Sequence, residues 1–70
     1  MSTHLQRQFD KLKKTVLTLG TLVEESLEKA TRAAESRDSD LARQVIADDE
    51  RIDVMEIDVE EECLHTLALH

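Results

Sequence analysis

Four carboxylate side chains recur at roughly one-turn spacing in the second half of the chain, at Asp49, Asp53, Glu56 and Glu60. At about 100° per residue, a helix places all four within an arc of about 60°, which we call the acidic stripe. Carboxylates held this close repel one another, so protons, basic partners or a cation must compensate them. Oxygen ligands suit hard ions such as Mg²⁺, Mn²⁺, Ca²⁺ or iron. Asp49, Asp53 and Glu56 are therefore candidate metal ligands, against the alternative that Lys or Arg of another helix, or solvent, neutralises the stripe.

Two further candidates for chemistry lie near the end of the sequence. Glu62 and His65 have the Glu-x-x-His spacing of di-iron carboxylate bundles. Both fall on the predicted outer side of their helix, which argues against a ferritin-like metal oxidase built from several hairpins. Cys63 is the only cysteine and lies on an apolar face without a basic neighbour, so we expect an inert thiol. The sequence shows no glycine-rich phosphate loop, nucleophile triad or Cys-x-x-Cys pair, and we expect no enzymatic activity.

The composition favours a helical chain with an acidic second half. The 70 residues include 16 acidic and 9 basic side chains, a net charge of −7, with one Gly, no Pro and one aromatic residue. Residues 1–36 hold five acids and six bases, whereas residues 37–70 hold eleven acids and three bases. This balance disfavours binding to nucleic acid or to an anionic membrane surface. Since the sequence also lacks a membrane-spanning run and a signal-peptide core, we expect a cytoplasmic protein.

The hydrophobic pattern predicts an all-α chain of two long antiparallel helices, a helical hairpin. We expect helix 1 over about residues 3–35 and helix 2 over about residues 40–69, with Asp38 or Ser39 capping the second. A connection this short makes the helices antiparallel neighbours. Folding the chain about position 38 brings Glu25 opposite Arg51. The same register brings three lysines opposite three glutamates: Lys11, Lys13 and Lys14 opposite Glu60, Glu61 and Glu62.

The two helices differ in their apolar faces. Helix 1 has one seam: Leu5, Phe9, Leu12, Val16, Leu19, Val23, Leu27, Ala30 and Ala34. Helix 2 has a face for helix 1, formed by Leu41, Val45, Ile52, Met55, Val59 and Cys63, and an outer apolar stripe, formed by Ile46, Ile57 and Leu64. The outer apolar stripe has no partner within these residues, so we expect either part of a larger bundle or an oligomer. Gly20, near the helix 1 seam, indicates either a close backbone approach or a tolerated defect.

Four stretches, in this order, resemble the opening of a known family of proteins. They run over residues 17–24, 38–42, 45–56 and 63–69. The family is PhoU, bacterial regulators of phosphate uptake and of the phosphate regulon, which are built from two repeated three-helix bundles. The resemblance implies that residues 1–70 hold the first two helices of the first repeat and stop before the third helix.

The resemblance also implies a function for the intact protein. A PhoU-like regulator is not an enzyme and acts through contacts with the ATPase of the phosphate transporter and with a sensor histidine kinase. Family members bind iron or other metals through Glu/Asp-x-x-x-Asp motifs, a spacing that Asp49 and Asp53 share and that Glu56 continues. The best-marked motif lies on the third helix, so metal binding is implied for the intact protein. The alternative is a free-standing hairpin that dimerises into a four-helix bundle as a structural or assembly module.

Overall fold

The protein is a helical hairpin, as the sequence predicts. The computed structural model describes residues 3–69, which form α1 (Thr3–Ser36) and α2 (Ser39–Leu69) and contain no strand. The two helices lie against each other in a rod of 55 × 15 × 11 Å. Both boundaries at the turn fall within one residue of their predicted positions.

The reversal of the chain takes only two residues. Arg37 adopts a left-handed backbone conformation with φ 52°, and the N–H of Asp38 donates to the Ala33 carbonyl at 3.1 Å. This arrangement ends α1 and satisfies one of its last carbonyls. Asp38 then caps α2, because its Oδ1 accepts the N–H of Leu41 at 3.0 Å. The predicted N-cap is thus confirmed at Asp38.

The predicted α2 face packs on α1. Ile52 is its most buried member, with 6% of its surface exposed, and it is the largest buried apolar side chain of the described residues. The other members are all partly covered: Leu41, Val45, Met55, Val59 and Cys63. The outer apolar stripe faces solvent, as predicted, with 62%, 54% and 68% of Ile46, Ile57 and Leu64 exposed.

The predicted α1 seam is only partly covered, and this part of the prediction needs correction. Five members are half-buried: Leu5, Leu12, Leu19, Val23 and Ala30. Four members are exposed: Phe9, Val16, Leu27 and Ala34. The side of α1 that meets α2 is rotated away from these four, toward Leu22 and Ala33. One neighbouring helix covers a limited strip of another, so α1, like α2, keeps an unpartnered apolar side.

Candidate functional site

A charged cluster near the turn joins the two helices. The Lys29 Nζ donates to Asp48 Oδ2 at 3.0 Å, and the Arg51 guanidinium donates to Asp48 Oδ1 from one turn along α2. Asp48 is largely covered, with 18% of its side chain exposed. The hydrogen bond from Lys29 lowers the pKa of Asp48 from its ordinary value, against the opposing effect of burial and with support from Arg51. The cluster therefore holds an ionised aspartate between two cations.

A shallow groove surrounds this cluster. Its lining residues are Leu22, Glu25, Lys29, Asp48, Arg51, Ile52 and Met55. Both cations of the groove are directed at Asp48, so the charges largely balance within the protein. This arrangement fixes the register of α1 on α2 and offers no uncommitted cation to an external anion.

The predicted ion pairs across the hairpin are not formed. Glu25 and Arg51 line the same groove, but Arg51 pairs with Asp48, which lies one turn away on its own helix. Within residues 3–69, no ion pair links Lys11, Lys13 or Lys14 to Glu60, Glu61 or Glu62. These side chains lie near the open end and are mostly exposed, where an ion pair contributes little against the entropy of long side chains.

The acidic stripe lies along an exposed flank of α2. Asp49, Asp53, Glu56 and Glu60 are all exposed, and none of them joins an ion pair in the described part of the chain. Among residues 3–69, no three His, Cys, Asp or Glu side chains come together as ligands of one metal ion. A metal held by Asp49, Asp53 and Glu56 would need ligands from outside the hairpin. Their role as metal ligands stays a prediction. Comparing the metal content of the unaltered chain with that of an Asp49→Asn/Asp53→Asn variant tests it.

The other sequence candidates lie at the margin of the helix interface. His65 is exposed, whereas Glu62 is half-buried, so the prediction that both face outward is wrong for Glu62. Cys63 is a free, half-buried thiol on the predicted apolar face. Since Glu62 and His65 differ in exposure and belong to no group of three ligands in the described chain, the ferritin-like arrangement gains no support.

Sequence reasoning missed two polar residues of the interface, Asp48 and Thr66. Asp48 opens a run of three acids with Asp49 and Glu50, of which the acidic stripe includes only Asp49. Its spacing from Val45, Ile52 and Met55 places it on the α1-facing side, and that signal identifies it. Thr66, with 2% of its surface exposed, lies on the same side two turns beyond Val59. The helical period alone thus locates both residues.

The comparisons with known proteins agree with this architecture. The family model described as the PhoU domain matches residues 16–70. The chain belongs to the PhoU family. It is 35% identical over 66 residues to the phosphate-specific transport system accessory protein PhoU homolog of Aquifex aeolicus, and 33% identical over 72 residues to the phosphate-specific transport system accessory protein PhoU of Escherichia coli. These alignments cover 94% and 97% of the chain.

The PhoU match covers one part of these relatives. The chain spans 30% of the length of both the Aquifex aeolicus and the Escherichia coli proteins. A PhoU homolog 2 of Thermotoga maritima is 33% identical over 69 residues, which are 99% of the chain and 29% of that protein. No solved structure matches the chain. Family membership therefore rests on sequence, and the helical hairpin is the part of the PhoU fold that these residues form.

Proposed function

We propose that the chain acts within a PhoU-type accessory protein that regulates phosphate uptake and the phosphate regulon and has no enzymatic activity of its own. The observation that carries this proposal is the family match over residues 16–70. The structure supports a role in protein contacts, because exposed apolar side chains line both helices. The two cations of the groove, Lys29 and Arg51, are already paired with Asp48. Neither helix is long and apolar enough over the described residues to cross a membrane.

The proposal extends to the binding partners and the cellular location of the protein. We propose contacts with the ATPase of the phosphate transporter and with a sensor histidine kinase, in the cytoplasm. The support for contact surfaces is physical: large apolar side chains such as Leu27 and Leu64 stay more than 60% exposed, which is typical of surfaces that receive other helices.

A chimera tests the function at the level of the whole protein. Residues 3–69 replace the aligned segment of the Escherichia coli relative in cells that lack their own copy. Phosphate uptake and expression from a phosphate-regulated promoter are then measured at high phosphate. We expect the chimera to restore repression, and an Ile52→Asp version, whose core is disrupted, to fail. A chimera that accumulates as a folded protein but leaves the promoter active would reject the proposal.

The outer apolar stripe supports a second candidate, a hairpin that dimerises into a four-helix bundle as a structural or assembly module. If a second copy covers Ile46 and Ile57, light scattering should measure the mass of two chains. An Ile46→Glu/Ile57→Glu variant would then return to the mass of one chain. Leu17→Glu is the control, because Leu17 is equally exposed on the other helix. A single-chain mass for the unaltered protein at all concentrations would exclude this candidate.

A further inference from the structure

The buried and half-buried side chains of the two helices repeat with the period of a coiled coil. On α1 their positions advance by alternating steps of three and four residues from Leu5 to Ala33. On α2 they advance by alternating steps of four and three residues from Leu41 to Thr66. Such a heptad pattern places one row of side chains of each helix against the other helix. We call the two rows together the heptad interface. Three further half-buried residues lie beside the rows: Val23, Ala30 and Cys63.

The two rows meet in one register. Leu22 of α1 and Ile52 of α2 line the same groove, so they belong to one layer of the interface. The helices are antiparallel, and the steps along α2 read backwards match the steps along α1. One opposed pair therefore fixes the others. This register places Leu12 opposite Glu62.

The half of the heptad interface next to the turn is well matched. We call it the turn half; it comprises the interface positions within residues 19–33 of α1 and 41–55 of α2. Seven of its ten positions are apolar. Two of its three polar positions, Lys29 and Asp48, are joined by a hydrogen bond of 3.0 Å. The turn half thus combines apolar packing with a compensated charge.

The other half, which we call the free-end half, is poorly matched. It comprises the interface positions within residues 5–15 and 59–66, and four of these seven positions are polar: Gln8, Thr15, Glu62 and Thr66. Glu62 is half-buried and joins no ion pair within residues 3–69. The hydroxyl of Thr66 is buried without a hydrogen-bond partner. Closing this half therefore removes water from a carboxylate and a hydroxyl that gain no partner in return.

The place from which a cation could reach Glu62 is occupied by Thr15. Thr15 precedes Lys29 by two heptads, and Glu62 follows Asp48 by two heptads, so the two pairs occupy equivalent places in the interface. The Thr15 hydroxyl donates instead to the Lys11 carbonyl of its own helix at 3.0 Å. The free-end half repeats the acid of the charged cluster but lacks its lysine.

We propose that the free-end half separates as a unit while the turn half stays paired, so that the hairpin exchanges between a closed and a separated form. Separation returns Glu62 and the Thr66 hydroxyl to water and uncovers Leu12 and Val59. Parts of a protein with few compensated buried contacts open at a lower free energy than its core. This inference does not depend on the proposed role in phosphate regulation, since it rests on the different composition of the two halves.

Native-state hydrogen exchange of the 70-residue chain tests the proposal. A helical segment without its partner is marginal in water, so its amides exchange when the free-end half separates. We compare amides inside the helices, in residues 11–16 and 57–62 of the free-end half and in residues 24–29 and 46–51 of the turn half. We expect protection to be at least about tenfold lower in the free-end half, to a similar extent on both helices. Equal protection in the two halves would overturn the proposal.

Thr15→Lys supplies the missing cation and should close the free-end half. We expect the new pair with Glu62 to raise protection at least about threefold in residues 11–16 and 57–62. Thr21→Lys is the matched control, because Thr21 is exposed and its hydroxyl also donates to the carbonyl four residues earlier. It adds the same charge and the same helix propensity on the side of α1 away from α2, so the difference between the halves should persist.

A change at position 62 isolates the new pair. Thr15→Lys should raise the protection of the free-end half in the unaltered background but not in a Glu62→Gln background, where no carboxylate receives the lysine. An equal effect in the two backgrounds would contradict the proposal, because the gain would then come from α1 alone. An equal effect of Thr15→Lys and Thr21→Lys would contradict it for the same reason.

Discussion

Thr66 has the most deeply buried hydroxyl of the described residues, and that hydroxyl has no hydrogen-bond partner. Other threonines of the chain donate to the carbonyl four residues earlier, as Thr15, Thr21 and Thr31 do at 3.0 to 3.1 Å. A buried hydroxyl without a partner costs about 1 to 3 kcal/mol of stability. Replacing this hydroxyl with a methyl group of similar size should therefore stabilise the hairpin.

We expect Thr66→Val to raise the free energy of unfolding by about 1 kcal/mol, because valine keeps the shape and removes the unpaired hydroxyl. Urea unfolding followed by circular dichroism measures this change. Thr66→Ser is the matched control: it keeps the hydroxyl, loses the methyl group and should be less stable than the unaltered chain. A loss of stability in Thr66→Val would show that the hydroxyl is satisfied in solution.

Asp48 makes stability depend on pH in a defined direction. Its pKa is lowered in the folded chain, first by the hydrogen bond from Lys29, so the ionised form favours the folded state. This contribution is complete above the ordinary pKa of aspartate, about 3.9, and disappears as the pH falls through the lower folded value. Between neutral pH and about pH 3, we expect the unaltered chain to lose more stability than Asp48→Asn does.

The control for this prediction is Asp58→Asn, which removes an exposed aspartate away from the cluster. It should keep the full acid-dependent loss of the unaltered chain. Melting temperatures measured across the acid range separate the three proteins. If Asp48→Asn and the unaltered chain had parallel profiles, the Lys29 pair would not contribute to folding.

The turn is the element that reverses the chain between α1 and α2. Arg37 holds a left-handed backbone at the position where helices commonly place glycine. A non-glycine residue in that conformation is disfavoured by about 1 to 2 kcal/mol, partly offset by the greater freedom of glycine in the unfolded chain. We expect Arg37→Gly to stabilise the hairpin by about 0.5 to 1 kcal/mol in thermal or urea unfolding.

Arg43→Gly is the natural control for the turn, because Arg43 has an ordinary helical position one turn into α2. There glycine should destabilise the chain by about 1 kcal/mol and also remove the exposed ion pair with Asp40. The two substitutions remove the same side chain, so opposite signs would isolate the backbone effect. Destabilisation by both would place Arg37 outside the left-handed region in solution.

At the scale of elements, the sequence predicts most of the fold and only part of the interface. The helix ends and the Asp38 cap follow from local chemistry, and the outer apolar stripe follows from the helical period. The sequence does not predict which part of the α1 seam α2 covers. The helical period gives the angles between side chains within one helix, but it does not give the direction in which the neighbouring helix lies. The pair with Lys29 does not follow either, because the helical period places Asp48 on the α1-facing side of α2 but does not say which α1 residue lies opposite it.

The whole molecule is a thin rod whose charge is concentrated on one helix. Residues 37–70 carry eleven acids against three bases, and most of these side chains are exposed along α2. Their repulsion extends over the Debye length, which falls from about 30 Å at 0.01 M salt to about 10 Å at 0.1 M. The ion pair between Lys29 and Asp48, which joins the two helices, is partly covered and is screened less.

We therefore expect added sodium chloride to raise the melting temperature over this range, because it screens the repulsion more than it weakens the Lys29 pair. An Asp58→Lys/Glu61→Lys variant changes the net charge from −7 by four units to −3 and should flatten the rise. Thermal melts at several salt concentrations measure both. A melting temperature that falls with salt would mean that attraction between the helices outweighs repulsion along α2.

The two-residue turn also determines from which end of the rod a label, a fusion or a surface attachment extends. Because the chain reverses once, Thr3 and Leu69 lie side by side at one pole of the 55 Å rod, and Arg37 lies at the other. A label or fusion attached next to Thr3 or Leu69 thus leaves from the same pole. Immobilisation through a cysteine placed at position 37, with Cys63 replaced, would instead anchor the turn and leave the exposed apolar side chains along both helices accessible.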